Sequence, residues 1–341
     1  MNILYIAYSC NPFAGNEDKI GWCLPCESSK TNKVYVITKE EQREPVERYL
    51  QSHPLENIEF YYVDIPAFYK KIFKGFMYSG RLNVWNRRVL PLAKKICADQ
   101  KIDIIHQITP IEFRAIGDYG KIANIKFVCG PLGGGESLPN GLKNYAKGHE
   151  IIEVVRSGIN RWYRFKLRIT GKLNHCDYIM FANKETRDFL GLDENFPLVT
   201  EIAADEISIE KRTISNDIND ERVFLFAGRM VYRKGLELLF DAIMEIPDEW
   251  KYIVKIVGDG PDFLHLKHRC ESNSLLSAHV QFMGAVQYSE MQREYELSDV
   301  LIMPSIRETT GTVLIEAMSQ GMPVITINKF GGAILVDENT G

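Results

Sequence analysis

No stretch of this chain approaches the ~20 consecutive apolar residues that a bilayer-spanning helix needs, so the sequence offers no transmembrane segment. The first residues, MNILYIAYS, lack the basic n-region of a secretory signal and read as a strand. No Asp-x-Asp pair occurs, which removes a short spacing by which carboxylates share Mg²⁺ or Mn²⁺. No His and Cys cluster has zinc spacing. No G-x-G-x-x-G is present, which argues against a nicotinamide dinucleotide site. Strong charge of either sign is also missing: the net charge of −4 and pI near 6.0 do not suit a nucleic-acid binder. Seven cysteines, an odd number with no regular framework, point to a reducing compartment. Cys23-Leu24-Pro25-Cys26 imitates a thioredoxin-type site, which would need a low-pKa thiolate at a helix start. Nothing else in the chain resembles that small domain. The favoured reading is two small side chains on the first helix.

What the chain has is alternation. Runs at Asn2–Tyr8, Lys33–Thr38, Ile58–Asp64, Asp103–Gln107, Lys126–Cys129 and Tyr178–Ala182 read as strands. Several are apolar throughout, as strands buried on both faces of a parallel sheet should be. Helical runs lie between them, around Lys19–Lys30, Glu40–Gln51, Val84–Gln100 and Ile151–Asn174. Leu198–Ile202 offers a closing strand. A second alternation has strands at Val223–Ala227, Tyr252–Val257, Val280–Met283, Val300–Met303 and Val324–Ile327. Its helices are Gly235–Ile246, Asp262–Glu271, Ser289–Leu297 and Thr312–Ser319. The expected fold class is therefore α/β, with two doubly wound Rossmann-like domains. Residues 1–204 form the first and 223–341 the second. The polar stretch 205–222 links them.

The stretch from Ile302 to Ile327, IMPSIRETTGTVLIEAMSQGMPVITI, carries the most chemistry. A strand runs into a loop with Glu308. Gly311 and Thr312 then open an apolar helix that carries Glu316. A helix N-terminus attracts anions through its unpaired N–H groups and its dipole. Two carboxylates beside it would repel a bare phosphate. They suit a ligand that also presents hydroxyls, which describes a nucleotide sugar. Glu308 and Glu316, eight residues apart, resemble the E-x7-E motif of the retaining glycosyltransferases of family four, which have the GT-B fold. Three further pieces fit that family in order and spacing: FLFAGRMVYRKG (from Phe224), Val257-Gly258-Asp259-Gly260-Pro261 and Phe282-Met283-Gly284. The N-terminal half matches more loosely, through Asn11–Trp22, Asp103–Pro110 and Gly130–Pro139.

The resemblance implies a nucleoside-diphosphate-sugar donor site built from Gly228, Arg229, Lys234, Gly258, Gly260, Met283, Glu308, Gly311, Thr312 and Glu316. Arg229 and Lys234 would take the diphosphate, Glu308 the sugar hydroxyls and Glu316 the ribose hydroxyls. Arg229, Lys234 and Glu308 form the implied catalytic set. With fixed cations to neutralise the leaving group, no metal and no further cofactor is expected. The bland reading of the cations is a solvated surface turn. That of the two glutamates is charge compensation at a helix N-terminus, which leaves Glu308 unexplained. Acceptor candidates are Gly15, Asn16, Glu17, His106, Gly133, Gly134 and Glu136. His106, alone at a strand end, reads more readily as a structural residue. Many family members carry a His after the fifth strand; here the glycine-rich GPLGGGE loop stands in its place, so that assignment does not transfer.

From Ile65 to Ala98 there is no Asp or Glu, while eight Lys or Arg alternate with Phe68, Tyr69, Phe73, Phe76 and Trp85. Arg156–Lys172 repeats the pattern. Two readings stand: docking on an anionic membrane, or a solvated face packed on one side. Taken together, the residues and the resemblance predict a retaining hexosyltransferase in the cytoplasm or at the inner membrane face. Its partners would be a UDP-, GDP- or ADP-sugar and a glycan or lipid-linked acceptor from cell-surface polysaccharide or glycolipid synthesis. The alternatives are a GT-B isomerase or phosphorylase, and a non-catalytic nucleotide-sugar binder. In the resembling family further residues follow the point reached at Gly341, so the second domain is expected to be incomplete.

Overall fold

The computed structural model describes residues 1–15, 17–200, 221–247 and 249–336. By its contacts the chain divides into two compact units. The first comprises Met1–Glu136 and Val154–Ala203, the second Ser137–Glu153 and Ala204–Gly341. The segment Ser137–Glu153, expected with the N-terminal domain, thus groups with the C-terminal one. The expected linker falls outside the described residues apart from 221 and 222.

In the N-terminal unit six parallel strands carry the order β3-β2-β1-β4-β5-β6. They are β1 (Asn2–Ala7), β2 (Lys33–Lys39), β3 (Ile58–Val63), β4 (Ile104–Thr109), β5 (Lys126–Leu132) and β6 (Tyr178–Phe181). Helices α1 (Glu17–Ser29), α2 (Arg43–Ser52), α3 (Ala67–Ile72), α4 (Tyr78–Gln100), α5 (Glu150–Thr170) and α6 (Lys184–Leu190) intervene. Leu4, Ile6, Val34, Val36, Ile37 and Ile105 are fully buried. That explains why these strands read as continuous apolar runs rather than alternating ones. Leu198 bridges Phe181 beyond β6, where a closing strand was expected.

The C-terminal unit repeats the plan with five parallel strands in the order β11-β10-β7-β8-β9. These are β7 (Arg222–Ala227), β8 (Tyr252–Val257), β9 (Val280–Gly284), β10 (Val300–Met303) and β11 (Val324–Thr326). They alternate with α7 (Leu236–Met244), α8 (Phe263–Glu271), α9 (Ser274–His279), α10 (Tyr288–Glu296), α11 (Thr312–Ser319) and α12 (Gly332–Leu335).

Three features departed from expectation. Helices α3, α6, α9 and α12 are each seven residues or shorter, too brief to show a period. Helix α4 starts at Tyr78, six residues before the expected Val84, and passes through Pro91. The basic stretch 65–98 is partly neutralised: Lys70 pairs with Glu41 at 2.8 Å and with Asp64 at 2.7 Å. Trp85 is not on its surface but in the core, fully buried. Its ring meets Tyr8 edge-on at 5.1 Å, and its indole N–H donates to the Val63 carbonyl at 3.0 Å. Both Cys23 and Cys26 lie within α1. Burial first, then the neighbouring Cys23 and Glu27, pushes the Cys26 thiol up to about 12. That is opposite to what a redox thiolate requires.

Trp85→Ala should cost about 3–5 kcal/mol, because it opens a large cavity and leaves the Val63 carbonyl unpaired. Urea unfolding of the variant checks this. A loss below about 1 kcal/mol would contradict the packing described.

Candidate functional site

In the C-terminal sheet the strand order reverses at β7. The chain passes from β7 to β8 and β9 on one side, and β10 and β11 lie on the other. Open α/β sheets bind ligands at the carboxyl ends of the strands flanking such a reversal. Here those ends are the loop Gly228–Gly235 after β7 and the loop Pro304–Gly311 after β10. Half of the donor residues expected from sequence, Gly228, Arg229, Lys234, Glu308 and Gly311, sit on these two loops. The β7 loop is also tied to the β8 loop. Gly228 N–H donates to Val257 O at 3.0 Å, Met230 N–H to Asp259 O at 2.9 Å, and Asp262 N–H to Met230 O at 3.2 Å. A Cβ on Gly258 would overlap the Gly228 carbonyl oxygen, and its φ of +137° suits glycine. Gly260 packs equally closely against the Met230 backbone. Met283, at the end of β9, is half exposed.

Glu308 is the electrostatic centre. Its Oε2 forms an ion pair with Lys234 Nζ, and its Oε1 lies 3.4 Å from Arg233 Nη1. The Thr309 N–H donates to Oε1 at 3.3 Å, and Ser305 Oγ lies 3.5 Å from Oε2. Burial disfavours ionisation of Glu308. Lys234 and then Arg233 outweigh it, so the carboxyl is held below its ordinary value. The side chains of Glu308 and Lys234 are only 12% and 14% exposed, so little water screens the pair. Arg229 contrasts with them. Its side chain is exposed and has no ion-pair partner among the described residues.

Gly311 precedes α11 and supplies no side-chain cap, and Leu314 N–H reaches back to its carbonyl at 3.0 Å. Glu316 stands on α11, where its Oε2 accepts a 2.7 Å hydrogen bond from the Tyr295 hydroxyl. Tyr295, on α10, is 3% exposed. The carboxylate is therefore aimed by a buried phenol that no sequence motif announced. Arg233 was also missed, although it adjoins Lys234 in the same motif. Among the described residues no three His, Cys, Asp or Glu side chains gather as a metal site.

The N-terminal candidates divide. The sheet reverses between β1 and β4, and Glu17 lies near that reversal in the first turn of α1. Its Oε1 accepts the Ile111 N–H at 3.1 Å. Burial raises its pKa to about 7, against the Ile111 hydrogen bond and with help from Glu112 and Asp18. Gly15 is exposed with open space around it, and Asn16 lies outside the described residues. His106 is held within the sheet. Its Nε2 is 2.8 Å from the Gly130 carbonyl, its ring lies against Tyr5, and burial drives its pKa down to about 4 despite that hydrogen bond.

The glycine-rich loop is not an open cradle of donors. Gly133 N–H goes to Ile111 O, Gly134 N–H to Glu136 Oε1 and Gly135 N–H to Thr186 Oγ1. Glu136 is 2% exposed. It also accepts from Asn183 at 2.7 Å, from Thr186 at 3.2 Å and from Arg156 at 3.3 Å. In this structure, then, Gly134 and Glu136 are spent on holding the loop to α5 and to the start of α6, and Gly133 ties it to Ile111. The glycines were legible in sequence; the distant partners of this loop, Arg156 20 residues from Glu136 and Thr186 51 residues from Gly135, were not.

Two parallel sheets with these strand orders and these strand-end glycines make this a protein of GT-B fold, which its structural neighbours share. Residues 208–340 match the family described as glycosyl transferases group 1. An uncharacterised glycosyltransferase of Methanocaldococcus jannaschii, MJ1178, is 28% identical over 189 residues, or 55% of this chain and 50% of its own. The chain thus spans about half the length of that relative, and less of other curated ones. The apo form of the lipopolysaccharide outer core galactosyltransferase WaaB aligns with 100% of this chain and 85% of its own, at a TM-score of 0.65 and 15% identity. Anabaena Alr3699/HepE in complex with UDP-glucose aligns over 99% and 83%, at 0.59 and 17%.

Glu17 generates a pH prediction. Its folded pKa is raised, so its contribution to stability is complete below its ordinary value near 4.5 and is lost as pH rises through about 7. Glu17→Gln should therefore flatten the pH dependence of the urea midpoint between about 4.5 and 7. An unchanged slope would show that Glu17 ionises normally in the fold.

Proposed function

We propose that this chain is a metal-independent glycosyltransferase. It moves a sugar from a nucleoside-diphosphate sugar to an acceptor hydroxyl with retention of anomeric configuration, in cell-surface polysaccharide or glycolipid synthesis. The observation that carries this reading is the Lys234–Glu308 pair at the strand ends where the second sheet reverses, next to the start of α11. The group 1 family match and a structural neighbour in complex with UDP-glucose support it.

Each group has a task the chemistry requires. As the sugar leaves, negative charge grows on the diphosphate. Lys234, the exposed Arg229 and the N–H groups opening α11 at Gly311 and Thr312 neutralise it. Arg offers a planar fork and Lys a point charge. Glu308 orients the sugar through its hydroxyls, kept ionised by Lys234 and Arg233. Glu316, held at one oxygen by Tyr295, accepts from the ribose hydroxyls. Gly228, Gly258, Gly260 and Met283 line the strand ends against which the nucleotide lies. These cations take the role that a metal plays at carboxylate-based sites. Near the N-terminal reversal, Gly15 and Glu17 are the candidates for contact with the acceptor.

The acceptor brings in a surface. No described helix is long and apolar enough to cross a membrane. On α5, however, Ile151, Val155, Trp162, Phe165 and Ile169 recur at helical spacing and are all exposed. Arg161, Lys166 and Arg168 are interspersed, and the helix carries no acid after Glu153. Phe68, Tyr69, Ile72 and Met77 add exposed apolar surface between 65 and 98. Such a combination suits the headgroup region of an anionic bilayer.

Lys234→Ala and Glu316→Ala should each weaken binding of the cognate nucleotide sugar about ten- to a hundredfold. Each removes a charge-assisted contact worth roughly 1.5–3 kcal/mol. Calorimetry across UDP-, GDP- and ADP-sugars measures this, and unchanged affinity in both variants would remove the assigned donor site. Turnover should persist in EDTA; activity lost in EDTA and restored by Mn²⁺ or Mg²⁺ would refute metal independence. Liposome flotation should need anionic lipid, fall with added salt, and drop when Trp162 and Phe165 are changed to Ala. Equal recovery with neutral vesicles, or none with either, would exclude membrane docking.

A further inference from the structure

The loops after β7 and β10 meet directly. Arg307 N–H donates to Arg233 O at 3.3 Å, and Arg233 Nη1 lies 3.5 Å from Arg307 O. Gly235 comes so close to the Pro304 carbonyl that any Cβ would overlap it. A third segment closes the arrangement. Glu153, in the first turn of α5, accepts from the Tyr232 hydroxyl and from Arg307 Nη2 at 2.9 Å, through the same Oε1. Arg307 Nη2 also reaches the Tyr232 hydroxyl at 3.2 Å. His149 lies flat on the Tyr232 ring, with centroids 4.1 Å apart. The Glu153 and Arg307 side chains are each 13% exposed. Tyr232 stands two residues before Lys234, and Arg307 one residue before Glu308.

We infer that Glu153 is a positioning residue, whose carboxylate clamps Tyr232 and Arg307 so that Lys234 and Glu308 meet at the distance and angle the donor needs. This rests on the donor reading of that pair. The physical case is one of leverage. An ammonium–carboxylate pair at the ends of two separate loops keeps its geometry only if the loops are held in register. Loop ends left to themselves fluctuate, and an ångström of slack at a reacting group costs turnover heavily. A largely buried Glu–Arg–Tyr cluster supplies the register, because Glu153 Oε1 is the one acceptor that Tyr232 and Arg307 share. Glu153 closes the segment Ser137–Glu153, which groups with the C-terminal unit.

The test needs no knowledge of the donor. The Glu308 carboxyl is followed by NMR titration in the full chain, in Glu153→Ala, in Arg307→Ala and in the double variant, with circular dichroism to establish that each is folded. Loosening the loops should move the Glu308 midpoint up toward its ordinary value in both single variants. The double variant should go no further than the larger single effect, as a shared cluster requires. Glu153→Gln, which keeps an acceptor, should recover part of the shift. An unmoved Glu308 midpoint in folded Glu153→Ala and Arg307→Ala would overturn the inference. Should Glu153→Ala or Arg307→Ala fail to fold, Tyr232→Phe and Glu153→Gln are measured instead, with a smaller upward shift expected and no shift in either counting against the clamp. Binding of UDP, GDP and ADP to Lys234→Ala and Glu308→Gln runs in parallel. If neither variant weakens nucleotide binding while the Glu308 midpoint still responds to Glu153, the donor reading fails and the clamp stands.

Discussion

The ion pair between Lys234 and Glu308 is the constraint around which the strand-end loops of the C-terminal unit are arranged. It joins the loops after β7 and β10, the two strands between which the sheet reverses. A buried ion pair is not in itself a source of stability, because desolvation offsets most of its Coulomb gain. What it secures is geometry. Lys234 and Arg233 keep Glu308 ionised where burial alone would favour the neutral acid. The surrounding packing serves that end. Glycines at 228, 258 and 260 let the loops approach, Tyr295 aims Glu316, and Glu153 with Arg307 and Tyr232 fixes the loop bases.

The N-terminal unit uses the same plan differently. Its strands are parallel and its sheet reverses between β1 and β4, yet the polar groups around Glu136 are committed to one another. Glu136 gathers four partners, and the glycine loop gives its N–H groups to the protein. Glu17 is left as the carboxyl there that titrates near neutrality.

How much of this was legible in the sequence follows from the range of each interaction. Strands buried on both faces announce themselves as apolar runs, and Tyr252–Val257 and Val300–Met303 were found to the residue. Helix α11 was also found to the residue, because Gly311 and Ser319 bracket one apolar stretch. Short helices such as α3 and α9 lack the two turns over which a period shows. The candidate donor residues could be named from sequence because they lie within motifs of contiguous residues. Tyr295, Glu153 and Arg307 were not, since their partners lie 21 to 154 residues away and no local pattern encodes such pairing. Trp85 shows the reverse failure. It sits in a basic, aromatic stretch that read as a surface, and only tertiary packing against Tyr8 and Val63 reveals it as core.

The central claim is that the strand ends of β7 and β10 hold a nucleoside diphosphate. Amide chemical shifts followed during titration with UDP, GDP and ADP test it most directly. For the nucleotide that binds, the account predicts that the largest changes fall on residues 228–234 and 308–312, with Gly258 and Gly260 next. Saturating shifts confined to other residues, with these amides unmoved, would contradict it, as would failure of all three nucleotides to produce any saturable change.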